Sequence, residues 1–210
     1  MRLIRHAAPE ASGLSATGNS RTIATAIATG QCVPDETSRT RARDISTHDA
    51  GVGKVHSGGT WRDPAVHARL AASLGVSLGP ALRENFEWYY CRGAFFHNDA
   101  HYDARLFGVW CIDGPPAEIV FPRAAVRAAV APSRIVVFDP FEVHGVLAPG
   151  CSTYAANDYQ DVSRSVFLGF ELDITAPLAE AFGIRNGASG QMISSRTRID
   201  AMSGAIECID

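Results

Sequence analysis

Apolar residues recur along this chain at two periods, and the change of period marks its elements. Between Asn85 and Leu172 the pattern is that of short strands. Asn85–Cys91 is aromatic and extended in pattern, Leu106–Ile112 is an almost unbroken apolar run, and Glu118–Pro122 is a short run closed by proline. Ser133–Phe138 stops at the turn pair Asp139-Pro140, and Ser163–Leu172 places Val166, Leu168 and Phe170 on one face. Runs of this length between Gly, Pro, Asn and Asp predict β-strands. Helical spacing appears over Asp63–Leu74, where Asp63-Pro64 opens the segment, Val66, Leu70 and Leu74 share a face, and Gly75 ends it. A short helix is predicted over Pro177–Phe182, stopped by Gly183, and another over Ser20–Thr29. The polar stretch Asp35–His56 reads as a long loop, Arg123–Val130 as either a short helix or a linking turn, and Arg185–Asp210 lacks strong periodicity.

The expected organisation is a single domain over residues 1–210. It is mainly β with flanking helices: a β core over about 84–172, an N-terminal helical and loop segment over 1–83, and a C-terminal extension over 173–210. Composition agrees, since 210 residues with 46% hydrophobic and 20% charged side chains suit one soluble core. The net charge is −3, and the 19 basic residues are scattered instead of forming a stripe, which argues against nucleic acid or an anionic membrane as partner. The 5 cysteines are odd in number, dispersed and without a Cys-x-x-Cys pair, so neither a disulfide framework nor a zinc knuckle is expected. No window has the apolar length of a signal peptide or a membrane span, and the expected location is the cytoplasm. A small-molecule substrate is the expected partner, and packing of the C-terminal extension in a homodimer is left open.

The chemistry concentrates in Phe95-Phe96-His97-Asn98-Asp99-Ala100-His101-Tyr102-Asp103, where two His-x-Asp triplets stand side by side, with His144 about forty residues later beyond the Ile135–Phe138 strand. In an extended chain residues i and i+2 point to the same side, so His-x-Asp delivers a nitrogen and an oxygen into one cavity. A redox metal such as Fe(II) takes two imidazoles and one carboxylate on one face and leaves the opposite positions open. His144 supplies the second imidazole. Of the triplets, His97 and Asp99 are favoured because Asp99 leaves room for a loop before the next strand, while Asp103 leaves almost none. His101 and Asp103 stand as the other candidate pair, or as partners that orient a ligand.

The order His-x-Asp, strand, turn, His, then a strand opened by arginine resembles the Fe(II)/2-oxoglutarate-dependent dioxygenases. The resemblance spans residues 84 to 172. It implies a double-stranded β-helix (jelly-roll or cupin-like) core, iron held by His97, Asp99 and His144, and 2-oxoglutarate as cosubstrate with its distal carboxylate on Arg164. A guanidinium suits that task because it is permanently charged and grips a carboxylate through two parallel hydrogen bonds. Tyr89 or Tyr90, on the strand that feeds the motif, is a further candidate for the cosubstrate carboxylate. The implied reaction oxidises a C–H bond of a small molecule, by default hydroxylating it, and releases succinate and carbon dioxide. Two features depart from the family: the long spacing from His144 to Arg164, and Val166 where some members place a serine two residues after the arginine.

Two other readings compete. The opening Leu3-Ile4-Arg5-His6, followed by Gly13 to Gly18, is similar to the start of the histidine phosphatases, which implies a phosphohydrolase using Arg5 and His6. A cupin-like barrel that binds a metal or small ligand without turnover would share the same scaffold. An inward-facing Arg164 favours the oxygenase over the binding protein.

Overall fold

Strands that follow one another in sequence cross repeatedly between two antiparallel sheets. The computed structural model describes residues 1–7, 21–99, 104–160, 162–185 and 197–208. In chain order the elements are β1 (Arg2–Arg5), β2 (Ala26–Gln31), α1 (Glu36–Ser46), β3 (His56–Trp61), α2 (Pro64–Leu78), β4 (Leu82–Cys91), β5 (Ala94–His97), β6 (Arg105–Asp113), β7 (Ala117–Phe121) and β8 (Val126–Val130). They continue with β9 (Arg134–Phe138), β10 (His144–Leu147), β11 (Ser165–Asp173), α3 (Ala176–Phe182), β12 (Thr197–Ile199) and β13 (Ile206–Cys208). The larger sheet runs β1-β2-β9-β6-β11-β4-β3 and the smaller β5-β10-β7-β8. The eight strands from β4 to β11 are shared as four in each sheet, β4, β6, β9 and β11 against β5, β7, β8 and β10. This arrangement is a double-stranded β-helix.

Alternation along each strand divides the side chains between two cores. On β4, Phe86, Trp88 and Tyr90 face outward and pack with the helices, while Glu87, Tyr89 and Cys91 face the space between the sheets. On β11 the outward set is Val166, Leu168 and Phe170, and Phe167 points inward. The outer core includes Trp88 and Trp110, both fully buried. Removing side chains of this size from water contributes about 1.5–3 kcal/mol each. Two of the helices that cover this face, α1 and α2, start on acidic caps: Asp35 accepts from Ser38 N at 2.7 Å, and Asp63 Oδ1 accepts from Ala65 N and Val66 N. At Gly75 the backbone leaves helical geometry, with φ of +80°, before the last turn of α2.

Several sequence expectations are corrected. Residues 26–31 form a strand, not part of a helix: Ala26, Ile27 and Ala28 are buried, with β1 on one side and β9 on the other. Alanine favours helix in isolation, but sheet pairing overrides that preference. The polar stretch after Asp35 contains helix α1, which buries only Ser38, Ala42 and Ile45, a stripe too narrow and polar to read from sequence. Residues 126–130 form β8, and the C-terminal segment contributes the β12–β13 hairpin. The turn of that hairpin reaches the free edge of β5, where Ala201 O accepts from Phe96 N at 2.9 Å, and Met202 O accepts from Tyr154 N. Among the described residues Cys32, Cys91, Cys111 and Cys151 are free thiols. Among the described residues no helix is long and apolar enough to cross a membrane.

Candidate metal centre

Strand β5 is four residues long and ends at His97, with Asp99 two residues further on; β10 begins at His144. The two strands are antiparallel neighbours, and His97 and His144 are direct register partners, so their rings stand 4.5 Å apart between centroids. Asp99 Oδ2 lies 3.6 Å from His144 Nε2 and 3.9 Å from His97 Nε2. One donor atom from each of the three residues falls within 4.8 Å of the others. The backbone of Asp99 is anchored too, its N–H donating to Pro140 O at 2.8 Å.

The tautomers follow from the partners. His97 Nδ1 sits 2.7 Å from Phe95 O, and His144 Nδ1 sits 2.8 Å from Glu142 O. A carbonyl oxygen only accepts, so each Nδ1 carries the hydrogen and each Nε2 presents its lone pair to the cavity. His144 is buried among Phe121 and Phe138. Burial first, then the neighbouring His97, lowers its pKa to about 4, against an opposing pull from Asp99 and the Glu142 carbonyl. At neutral pH this imidazole is uncharged, the form that ligates. Two imidazoles and a carboxylate suit Fe(II) and related divalent ions.

These groups open onto a cavity of about 420 Å³ between the sheets. Its walls are mostly apolar, with Tyr89, Phe107, Phe138 and Phe167 among them, and the polar groups besides the triad include Ser57 and Glu87. The structure therefore brings His97, Asp99, His144 and Tyr89 to one space. His101 and Asp103 lie outside the described residues.

Arg164 is not in that space, contrary to the sequence reading. It precedes β11 with the parity of Val166 and Leu168, the outward set, and a two-residue period carries its side chain to the opposite face of the sheet. There Nη1 donates to the carbonyl of Ser46, the last residue of α1, at 2.7 Å, and Nη2 lies 3.6 Å from Asp49. Arg5 and His6 lie at the end of the edge strand β1, apart from the cavity lining, and the antiparallel sheets are not the alternating α/β scaffold that the phosphatase reading requires. Sequence reasoning passed over Glu87 and Ser57; the shared parity of Glu87 with Tyr89 and Cys91 was the signal that could have found the first.

No protein-family model matches the chain, and no curated protein matches it. Among solved structures it is similar to a cupin superfamily protein from Desulfitobacterium hafniense, at 11% identity over 69% of this chain and 98% of that one, with a TM-score of 0.34. It is also similar to a prolyl-4-hydroxylase from Pseudomonas putida, at 15% identity over 75% and 95% of the two chains with a TM-score of 0.36. A third is EvdMO1, at 14% identity over 75% and 48% with a TM-score of 0.42. Likenesses this distant carry no argument, and the fold class rests on the strand order. The class so defined is a double-stranded β-helix protein with a His-Asp-His donor set facing its inner cavity.

Proposed function

We propose that this protein is an Fe(II)-dependent oxygenase that oxidises a C–H bond of a small, largely apolar molecule, with the metal held by His97, Asp99 and His144. The observation that carries the reading is the pair of Nδ1–H···O=C bonds from His97 to Phe95 and from His144 to Glu142. They aim both Nε2 lone pairs, together with the Asp99 carboxylate, at the same apolar cavity. Iron held by His97, Asp99 and His144 would supply dioxygen activation. The protein's own groups do the rest. The carbonyls fix the imidazoles, the Pro140 carbonyl fixes the Asp99 backbone, and the aromatic walls exclude bulk water and position the substrate.

A dependence on 2-oxoglutarate is the fuller form of this reading, supported by the order of the His-x-Asp and His motifs. The described cavity lining does not fit that group: it contains no arginine or lysine for the distal carboxylate, and Arg164 is turned to the other face, so the feature that would set the oxygenase apart from a cupin-like binding protein is lost and the oxygenase reading rests on the donor set and its apolar cavity. An anaerobic titration with Fe(II) and then 2-oxoglutarate separates the possibilities. A visible charge-transfer band on keto-acid addition establishes 2-oxoglutarate as cosubstrate. Tight iron binding without the band, coupled to substrate-dependent oxygen uptake, identifies an oxygenase with another electron source. Iron binding without oxygen uptake leaves a cupin-like binding protein, and absence of iron binding rejects the metal site.

A further inference from the structure

The cavity beside the candidate metal centre holds a second carboxylate. Glu87 faces inward from β4, and its Oε1 accepts a hydrogen bond from Ser57 Oγ at 2.6 Å. Ser57 is itself held, since its Oγ accepts from Gly59 N at 3.2 Å. The register partner of Glu87 on β3 is Thr60, not Ser57; a bulge between Ser57 and Gly59, with Gly59 at φ of +93°, accompanies the reach of Ser57 to Glu87. One oxygen of Glu87 is thus fixed. Among the described residues nothing donates to the other, and no basic side chain pairs with Glu87.

Glu87 is half-buried at the cavity wall beside exposed Ser57, so a cation entering from solvent can reach its carboxylate, and the described lining offers no competing positive side chain. The walls point the same way. Tyr89, Phe107, Phe138 and Phe167 line the cavity with Glu87, and the negative faces of aromatic rings attract cations. The charged side chains of the described lining, Glu87 and Asp99, are both acidic outside the two histidines. We infer that Glu87 is a specificity-determining residue that anchors the ammonium group of a small aliphatic or aromatic amine, whose apolar body fills the aromatic cavity. The inference rests on the oxygenase reading for the amine's role as substrate, but the binding itself does not require metal.

The test uses the full chain stripped of metal with chelator, titrated calorimetrically at pH 7.5 with three probes of equal length: hexylammonium, hexan-1-ol and hexanoate. Hexylammonium is expected to bind about tenfold or more tighter than hexanol, the scale of a charge-assisted hydrogen bond, with hexanoate weakest. Glu87→Gln should reduce hexylammonium to the affinity of hexanol and leave hexanol unchanged; Ser57→Ala should produce a smaller loss for the amine alone. Equal or reversed affinities in the wild-type protein overturn the inference, as does an undiminished amine preference in folded Glu87→Gln. If that variant fails to fold, the wild-type probe series decides. A parallel Co(II) titration separates the two readings. Amine preference without metal binding sinks the oxygenase alone, and metal binding without amine preference sinks the amine receptor alone.

Discussion

His97 and His144 face each other as register partners on β5 and β10, each pinned by a hydrogen bond from Nδ1 to the carbonyl two residues before it. Because both Nε2 atoms and Asp99 Oδ2 converge, removing any one donor should weaken a divalent ion severely. His97→Ala, Asp99→Ala and His144→Ala are each expected to lower Co(II) affinity by roughly a hundredfold or more, read by calorimetry. The histidines should differ in a second measurement. His144 is buried against Phe138, with ring centroids 4.6 Å apart, so its loss should also lower the melting temperature of the metal-free protein, whereas loss of half-exposed His97 should change it little.

Arg164→Ala should act on the scaffold and not on the cavity. Its guanidinium donates to Ser46 O and leans on exposed Asp49, so the expected cost is about 0.5–1.5 kcal/mol in denaturant unfolding. Metal affinity and binding of small ligands in the cavity should be unchanged. A selective loss of 2-oxoglutarate binding would return Arg164 to the site.

Glu142 predicts a pH dependence. Burial, reinforced by Asp139 and opposed by Arg123, raises its pKa to about 7, and neither carboxylate oxygen has a hydrogen-bond partner among the described residues. With the folded pKa above the ordinary value of 4.5, its contribution to stability is full below that value and is lost as pH rises through 7. Glu142→Gln should therefore raise the stability of the metal-free protein at pH 8 by something on the order of 1–3 kcal/mol, with no gain at pH 4. Urea titrations at the two pH values check the difference.

The buried pair of Arg21 and Asp139 should be costly to break. Nη1 of Arg21 donates to Asp139 Oδ2 at 2.6 Å, and the same carboxylate accepts from Ala24 N and Phe141 N. Arg21→Ala leaves that carboxylate without its counter-charge, an expected loss of about 3–5 kcal/mol measured by chemical unfolding. Asp139 also orders the turn whose Pro140 carbonyl receives the Asp99 N–H, so metal affinity should fall as well.

Much of the β-helix was legible because its strands alternate cleanly and stop at turn residues such as Asp139-Pro140. The candidate donors could be picked out for a related reason: His97 and Asp99 are two residues apart on an extended chain, a relation that sequence carries directly. Arg164 shows where such reading stops. Its position next to β11 was evident, but which face of the strand looks inward depends on the opposite sheet, and its parity matches the outward residues Val166 and Leu168. Helix α1 escaped because it buries only three small or medium side chains, and β2 because alanine-rich segments take whichever form their neighbours supply. The Ser57–Glu87 contact depends on a bulge between strands, which no local pattern announces.

Strand β5 is the outermost strand of its sheet, and its free edge is closed by the turn at Ala201, whose carbonyl accepts from Phe96 N. The ligand-bearing strand is thus latched by residues more than a hundred positions later in the chain. Local opening of that latch, rather than global unfolding, is then the lowest-energy route by which the donor set can come apart. The exchange rate of the Phe96 amide would report how often the latch lifts. Its protection should track that of the Tyr154 amide, which donates to Met202 O of the same turn, because both would be released when the turn lifts.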